Sequence, residues 1–277
     1  MNNTEFIYTR YLYNFTEVKQ SLFICLIEHK IDESLFWAFE LYHSGFKETL
    51  FEYIIKIYNT IYKDYNSHWE NILHLQLEMV EEKNDELLLG NIIASMCTKK
   101  YNLQEFCNDY LSIDVNQNEE ERKGFNVELT EEYIHTFRTN SNDDELRNIL
   151  KNNTKYSVRK EVNLLFNINI PMYNELINIY NHHWLYYCYH CPIWHKRIIE
   201  HNGKVNDETR VIIFEDDNMH ETFYEKWHYD PDEQSLETKS KSIGNENVLY
   251  LDIKNFCKKF KLNMKTKTIK RSKANKN

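Results

Sequence analysis

Glycine and proline are scarce in this 277-residue chain, which contains only 5 Gly and 3 Pro. Both residues interrupt regular structure and shape tight turns, so their scarcity favours helices over a turn-rich fold. It also leaves few positions where the backbone could approach a phosphate closely, because such an approach usually requires glycine.

The signature motifs of several large enzyme classes are missing as well. The sequence contains neither GxxxxGK[ST] nor GxGxxG, so P-loop and dinucleotide-binding sites are unsupported. It also lacks the GxSxG and HExxH motifs of common hydrolases and metalloproteases. We therefore predict no cofactor and favour a protein that is not an enzyme.

Long apolar segments and a disulfide framework are also absent. No run approaches the roughly eighteen apolar residues of a membrane helix, so we expect no membrane partner. The first twenty residues, MNNTEFIYTRYLYNFTEVKQ, lack the apolar region of a signal peptide. The six cysteines are scattered along the chain, which is typical of a reducing compartment. We therefore expect a protein that is not secreted.

Apolar residues are abundant, at 42% of the chain with 14% aromatics, and their spacing predicts helices. The clearest pattern runs from Ile31 to Tyr62, where two helical stretches meet at Ser44-Gly45 and predict a central αα-hairpin built on Trp37. We predict a mainly α fold, an irregular helical array or bundle. The β-branched stretch from Thr209 to Phe214 and the stretch from Val248 to Leu251 allow a small β element in the C-terminal third.

Composition also predicts the domain organisation. Residues 1–111 form the predicted N-terminal helical domain, and the polar segment 112–125 is the predicted charged linker. Residues 126–257 form the predicted C-terminal helical domain with short strands. Residues 258–277 carry nine basic residues and no acidic residue, and we predict that they form a disordered tail.

Cysteine and histidine residues are concentrated between His182 and His201. Cys188 and Cys191 have the two-residue spacing of half a zinc site, with His190 and His195 as further candidate ligands. The alternative is a set of core cysteines beside exposed histidines, which we favour because residues 184–189 have the pattern of a buried helix.

A second candidate region is rich in acidic and aromatic residues. Carboxylates between Glu221 and Glu237 could gather a divalent cation, although the alternating ligands of a calcium loop are missing. Aromatic and proline residues amid charge often dock on a surface, of the same protein or of another. The candidate binding residues are therefore Trp227, Tyr229, Pro231, Asp232, Glu233 and Gln234.

The basic tail is a candidate for nucleic-acid binding, because tethered cations bind phosphates without sequence specificity. A merely solubilising terminus is the alternative. The candidate residues are Lys258, Lys259, Lys261, Lys265, Lys267, Lys270, Arg271 and Lys273.

Three segments, ESLFWAFELYHSGF (33–46), CPIWHKRI (191–198) and FYEKWHYDPDEQS (223–235), resemble conserved proteins of nucleocytoplasmic large DNA viruses of the giant-virus type. That family has no assigned activity, so the resemblance implies no catalytic residues. It implies a viral protein located in the host cytoplasm, in the viral factory, or in the virion. We predict a protein-interaction scaffold or accessory factor; the alternatives are a nucleic-acid-associated factor and a metal-dependent enzyme.

Overall fold

Helices make up most of the chain in the computed structural model, which describes residues 6–118, 124–138, 145–169 and 171–265. The predicted mainly α fold is confirmed. The helices are α1 (Phe15–Ile27), α2 (Ile31–His43), α3 (Lys47–Ile57), α4 (Lys63–Asn66), α5 (Glu70–Lys83), α6 (Glu86–Thr98), α7 (Gln104–Leu111), α8 (Glu131–His135), α9 (Leu146–Asn153), α10 (Tyr173–Asn178), α11 (Trp184–Cys188), α12 (Pro192–Glu200), α13 (Asp217–Trp227), α14 (Leu236–Ile243) and α15 (Ile253–Lys259). Single 3₁₀ turns lie at Ser67–Trp69, Lys160–Val162 and Pro231–Glu233, and π-helical turns at Tyr58–Tyr62 and Ile179–His183.

The predicted central helix is α2, which packs against α1, α3 and α6. Its Trp37 is fully buried, and the Trp37 and Tyr13 rings meet edge to face with centroids 5.0 Å apart. Gly45, with φ +92°, ends the helix in the left-handed conformation that glycine adopts without strain. The Phe46 amide then donates to the Leu41 carbonyl at 3.1 Å, the closing bond of a Schellman motif.

Two small antiparallel sheets complete the fold. Strands β2 (Lys204–Asn206) and β3 (Val211–Ile213) pair in the register Lys204↔Ile213. The second strand of this hairpin lies inside the predicted 209–214 strand. By contrast, residues 248–251 form neither a strand nor a helix, and α15 begins at Ile253.

The second sheet joins distant parts of the sequence. Strand β1 (Val115–Gln117) lies within the predicted linker, and β4 (Leu262–Met264) lies within the predicted disordered tail. They pair antiparallel in the register Val115↔Met264. The structure thus differs from the prediction of a disordered tail for residues 258–265, because backbone pairing and the buried Leu262 order this segment.

One cluster of buried side chains contains residues from both predicted domains. Residues 6–14, which precede α1, contribute the fully buried Tyr8 and Tyr13. The Tyr8 amide donates to the Tyr187 carbonyl at 2.9 Å, and the Tyr13 hydroxyl donates to the Tyr156 carbonyl at 2.7 Å. The N-terminal segment therefore packs against the C-terminal half, which places a shared core where separate domains were predicted.

Buried and half-buried polar groups reinforce the contact between the two halves. Arg159 donates from Nε to Glu33 Oε1 at 2.9 Å and from Nη2 to Glu28 Oε2 at 3.0 Å. Asn163 donates from Nδ2 to Glu17 Oε1 at 2.8 Å. Since a buried charge is costly without a partner, these contacts fix the position of residues 159–163 on α1 and α2.

Candidate docking surface

The cysteines and histidines of the predicted metal site occupy different environments. Cys188 and Cys191 are fully buried, whereas His190 and His195 are exposed. His195 Nδ1 lies 3.1 Å from the Tyr189 carbonyl oxygen. Within the described residues, no three His, Cys, Asp or Glu side chains are grouped so that they could hold a metal ion.

Both thiols belong to the buried core. Burial raises the pKa of Cys188 well above its ordinary value, with Cys191 adding to the shift, and burial raises the pKa of Cys191 to about 12. Cys191 Sγ donates to the Ser44 carbonyl at 3.4 Å. The pair therefore packs as part of the core.

Residues 227–234 pack mainly on this protein itself. Tyr229 and Pro231 are buried, and the Tyr229 ring is stacked on Trp184 with centroids 6.2 Å apart. Gln234 Nε2 donates to the Arg147 carbonyl at 2.8 Å and to the Tyr229 carbonyl at 3.0 Å. Asp232 and Glu233 are exposed side chains of the same turn. The predicted binding segment is therefore in large part an internal contact.

Arg197 organises that contact. Its guanidinium carbon lies 3.8 Å from the centroid of the Trp227 ring and 4.6 Å from that of the Trp194 ring. Its Nη1 donates to the Tyr229 hydroxyl at 3.2 Å. A guanidinium between aromatic faces gains cation–π attraction and keeps its hydrogen bonds. Arg197 thus joins α12 to the end of α13, and it brings together the two regions that were predicted as separate candidate sites.

The segments that carry the viral resemblance also meet in space. The Ile193 amide donates to the Ser44 carbonyl at 3.1 Å. A Cβ at Gly45 would lie only 2.7 Å from Pro192 Cβ, so the end of α2 approaches the start of α12 too closely for a side chain. Tyr229 then packs on Trp194 with ring centroids 5.0 Å apart. The three segments therefore meet in one packed junction.

The described basic residues of the tail are partly neutralised. Lys259 Nζ lies 2.5 Å from Glu28 Oε1, and Lys265 Nζ lies 2.8 Å from Asp114 Oδ1. Lys258 and Lys261 are exposed. The remaining candidates, Lys267, Lys270, Arg271 and Lys273, lie outside the described residues.

An apolar surface that the sequence patterns did not single out lies on α5. The buried side of this helix carries Leu73, Leu77 and Val80. On another side, Ile72 is 47% exposed, Leu75 60% and Met79 42%. These three residues are spaced three and four apart, so they form one stripe along the helix. We call Ile72, Leu75 and Met79 the α5 stripe.

Charged side chains border the α5 stripe unevenly. Glu78 and Glu82 lie three and seven residues after Leu75, so they follow one edge of the stripe. Lys83 lies four residues after Met79 and follows the other edge. Since Glu78, Glu81, Glu82 and Lys83 are all exposed, the surface of this helix is mainly acidic.

The α5 stripe was hidden in the sequence because its residues alternate with core residues. The run from Trp69 to Val80 is apolar at both sets of positions and predicts a helix. A helical projection separates the two sets: positions 73, 77 and 80 share one side, and positions 72, 75 and 79 share another. The regular spacing of positions 72, 75 and 79 is the feature of the sequence that could have identified the stripe.

The structure was also searched for a membrane-spanning helix, and the chain was compared with known proteins. None of the helices in the described ranges combines the length and apolar character needed to cross a bilayer. Comparison of the chain with protein-family models, curated proteins and solved structures gave no match.

Proposed function

We propose that this protein acts by binding other proteins, as a scaffold or accessory factor, and that the α5 stripe is where a partner docks. The observation that carries the proposal is the exposure of Ile72, Leu75 and Met79 at regular helical spacing. Single exposed apolar residues are common on protein surfaces, whereas a contiguous apolar stripe marks an interaction site.

The geometry of the stripe favours a helical partner. Its three-and-four spacing matches the narrow seam along which two helices pack side by side. The carboxylates of Glu78 and Glu82 follow one edge, so a partner helix with lysine or arginine along the facing edge gains electrostatic complementarity. A second copy of this chain is disfavoured as the partner, because the chain carries a net charge of −9 and would bring two acidic helices together.

A pair of designed peptides tests this preference. Both are helical 21-residue peptides with leucine at the seam positions; one carries lysine beside the seam and the other glutamate. We expect the lysine peptide to bind at least about tenfold more tightly in fluorescence anisotropy, with an affinity that falls as salt rises. Equal binding of the two peptides would contradict the proposed partner chemistry.

Matched variants locate the binding on α5. Leu75→Lys places a charge in the stripe and should abolish binding of the lysine peptide, whereas Leu236→Lys changes another exposed leucine, at the start of α14, and should have no effect. The double variant Glu78→Lys/Glu82→Lys should reverse the preference toward the glutamate peptide. Persistence of binding in Leu75→Lys would refute the site.

Light scattering tests whether a second copy of this chain occupies the α5 stripe. If the unmodified protein is a dimer that Leu75→Lys converts to a monomer, the stripe is occupied by a second copy and the proposed heterologous partner is wrong. A species of unchanged mass in both proteins supports docking of another protein.

A further inference from the structure

A second feature of the molecule, remote in sequence from α5, is a cavity of about 420 Å³. It lies between the 3₁₀ turn Lys160–Val162, the start of α10 and the segment that follows α14. This volume falls within the range of about 300–1,000 Å³ that is typical of small-molecule sites.

Two of the residues that line the cavity, Lys160 and Asn163, are almost fully buried. Lys160 is 6% exposed and Asn163 3%. Lys160 Nζ lies 3.2 Å from Glu17 Oε1, the same oxygen to which Asn163 Nδ2 donates. A lysine ammonium has three donors, so this one contact leaves donor capacity for a ligand at the cavity.

The lysine side chain is held in place by its surroundings. Gly244 adopts φ +76°, and a Cβ there would lie 2.4 Å from Lys160 Cδ. Glycine at this position therefore provides the space in which the alkyl part of Lys160 lies. Asn163 is fixed from the other side, because its Oδ1 accepts a hydrogen bond from Gln20 Nε2 at 2.6 Å. The two polar groups are preorganised, which lowers the cost of binding a ligand.

The exposed lining of the same cavity contains three asparagines as well as apolar side chains. Leu164 is 62% exposed, Met172 80% and Tyr250 50%, and all three line the cavity. Two buried polar residues together with these three apolar side chains fit a molecule that has a polar head and an apolar body. Glu246 also lines the cavity, which disfavours a head group with more than one negative charge.

We infer that this cavity binds a small amphipathic monocarboxylate, with its carboxylate near Lys160 and Asn163 and its apolar body against Leu164, Met172 and Tyr250. The carboxylate would accept hydrogen bonds from the ammonium and place the positive charge of Lys160 between two anions. Charge-assisted hydrogen bonds of this kind are the stronger class of polar contact.

Calorimetric titration with octanoate, octylammonium and 1-octanol tests the inference. The three probes share an eight-carbon chain and differ in the head group. We expect one octanoate per chain, bound at least about tenfold more tightly than either other probe. No saturable octanoate binding, or equal binding of octylammonium, would overturn the assignment.

Variants at the opening separate a specific site from general apolar adsorption without disturbing the core. Met172→Ser and Tyr250→Ser change exposed side chains and should each weaken octanoate binding several-fold. Leu249→Ser is the matched control, since Leu249 is exposed beside Tyr250 but does not line the cavity. Equal octanoate affinity in all three variants would refute the site.

The double variant Lys160→Met/Glu17→Gln tests the head-group contact. It removes both buried charges together and retains similar side-chain lengths, so no unpaired ion is left in the core. We expect octanoate affinity to fall at least about tenfold and the discrimination against 1-octanol to disappear. Retained discrimination in a folded double variant would exclude Lys160 as the anion-binding group. Leu75→Lys should leave octanoate binding unchanged, so this inference and the α5 docking surface succeed or fail separately.

Discussion

Arg10 and Glu40 form an ion pair in the protein interior, with Arg10 Nε donating to Glu40 Oε2 at 2.9 Å. Glu40 Oε1 also accepts from the Thr9 hydroxyl at 2.6 Å and from the Tyr11 amide at 3.1 Å. The Arg10 Nη2 atom donates to the Phe137 carbonyl at 3.0 Å. One carboxylate on the central helix α2 thus holds the N-terminal segment in the core.

Removing that carboxylate should destabilise the whole protein. Glu40→Ala leaves Arg10 buried without its counter-ion, and breaking a buried pair in this way typically costs about 3–5 kcal/mol. We expect a loss of this size in the free energy of unfolding, measured by urea denaturation with tryptophan fluorescence.

Two further variants test whether the loss of stability in Glu40→Ala comes from the unpaired charge of Arg10. Glu82→Ala changes an exposed carboxylate of α5 and should alter stability by no more than about 0.5 kcal/mol. Replacing both partners, Arg10→Met with Glu40→Met, should cost less than Glu40→Ala alone because no unpaired charge remains. A Glu40→Ala protein as stable as the Glu82→Ala control would show that the pair does not anchor the segment.

His43, at the end of α2, should make stability depend on pH. Burial, together with the nearby cations Arg10, Arg138 and Lys47, lowers the pKa of His43 from its ordinary 6.5 to about 2. Below pH 6.5, His43 therefore binds a proton in the unfolded chain but stays neutral in the folded protein. The free energy of unfolding falls as pH decreases through this range. Between about pH 7.5 and pH 5, this one group removes about 2 kcal/mol.

Replacement of His43 isolates its contribution from that of other titrating groups. His43→Phe keeps a ring beside Phe39, whose ring is stacked on His43 with centroids 5.6 Å apart. We expect the variant to lose about 2 kcal/mol less than the unmodified protein over the same pH interval. His182→Phe, at an exposed position, should follow the unmodified protein. Parallel pH profiles for His43→Phe and the unmodified protein would contradict the assignment.

The helical fold was predictable because the responsible signals are local. Gly45 ends α2 in a left-handed conformation, and the apolar spacing around Trp37 marks a central helix from sequence alone. The shared core was not predictable in this way. Glu17 meets Asn163 across 146 positions of sequence, and β1 pairs with β4 across a similar separation. Composition does not indicate which distant residue will donate a hydrogen bond to a buried carboxylate.

The prediction of candidate sites was limited in the same way, because local signals do not show which distant residues meet. Aromatic and charged residues around Trp227 do form a contact, but its other side is Arg197 of the same chain. The apolar pattern of α5 does not by itself distinguish the exposed Ile72, Leu75 and Met79 from the core positions of the same helix. The inside and outside of α5 are decided by which side meets α6 and α3, and that information is tertiary.

The Arg197 contact predicts that a conservative change will be destabilising. Lysine keeps the charge of Arg197 but lacks the planar group that lies over Trp227 and donates to Tyr229. We expect Arg197→Lys to reduce the free energy of unfolding by about 1–2 kcal/mol and to change the tryptophan emission. Lys196→Met, at an exposed neighbouring position, should leave both unchanged. A fully stable Arg197→Lys protein would show that the guanidinium plane is dispensable.

The six cysteines should be inert in the folded protein. All are free and buried, and burial raises the pKa of Cys97, with that of Cys191, to about 12. A rise of about three pKa units lowers the thiolate fraction about a thousandfold. We expect Ellman's reagent at pH 8 to label the native protein at least about a hundredfold more slowly than the urea-unfolded chain. Rapid labelling of Cys188 or Cys191 in the native state would reopen the possibility of metal or redox chemistry at this pair.

The ordered start of the predicted tail should contribute to stability. Two truncations, after Cys257 and after Lys265, differ only in residues 258–265. The shorter protein loses β4, the burial of Leu262 and the ion pair between Lys259 and Glu28. Burying one leucine stabilises a protein by about 1.5–3 kcal/mol, so we expect a difference of at least about 1.5 kcal/mol between the two truncations. Equal stabilities would show that β4 adds nothing to the fold.

The same truncations provide a fair test of nucleic-acid binding by the tail. Loss of binding after removal of all residues from 258 onward would be ambiguous, because that truncation also perturbs the fold. The protein that ends at Lys265 keeps the described contacts of β4 but lacks the candidates Lys267, Lys270, Arg271 and Lys273, together with Lys276. If these cations bind phosphates, the full chain should retain double-stranded DNA with a salt slope of about −3 to −4.5. The protein ending at Lys265 should lose that retention while its unfolding curve shows that it is still folded. Equal retention by both proteins would place any DNA binding outside the tail.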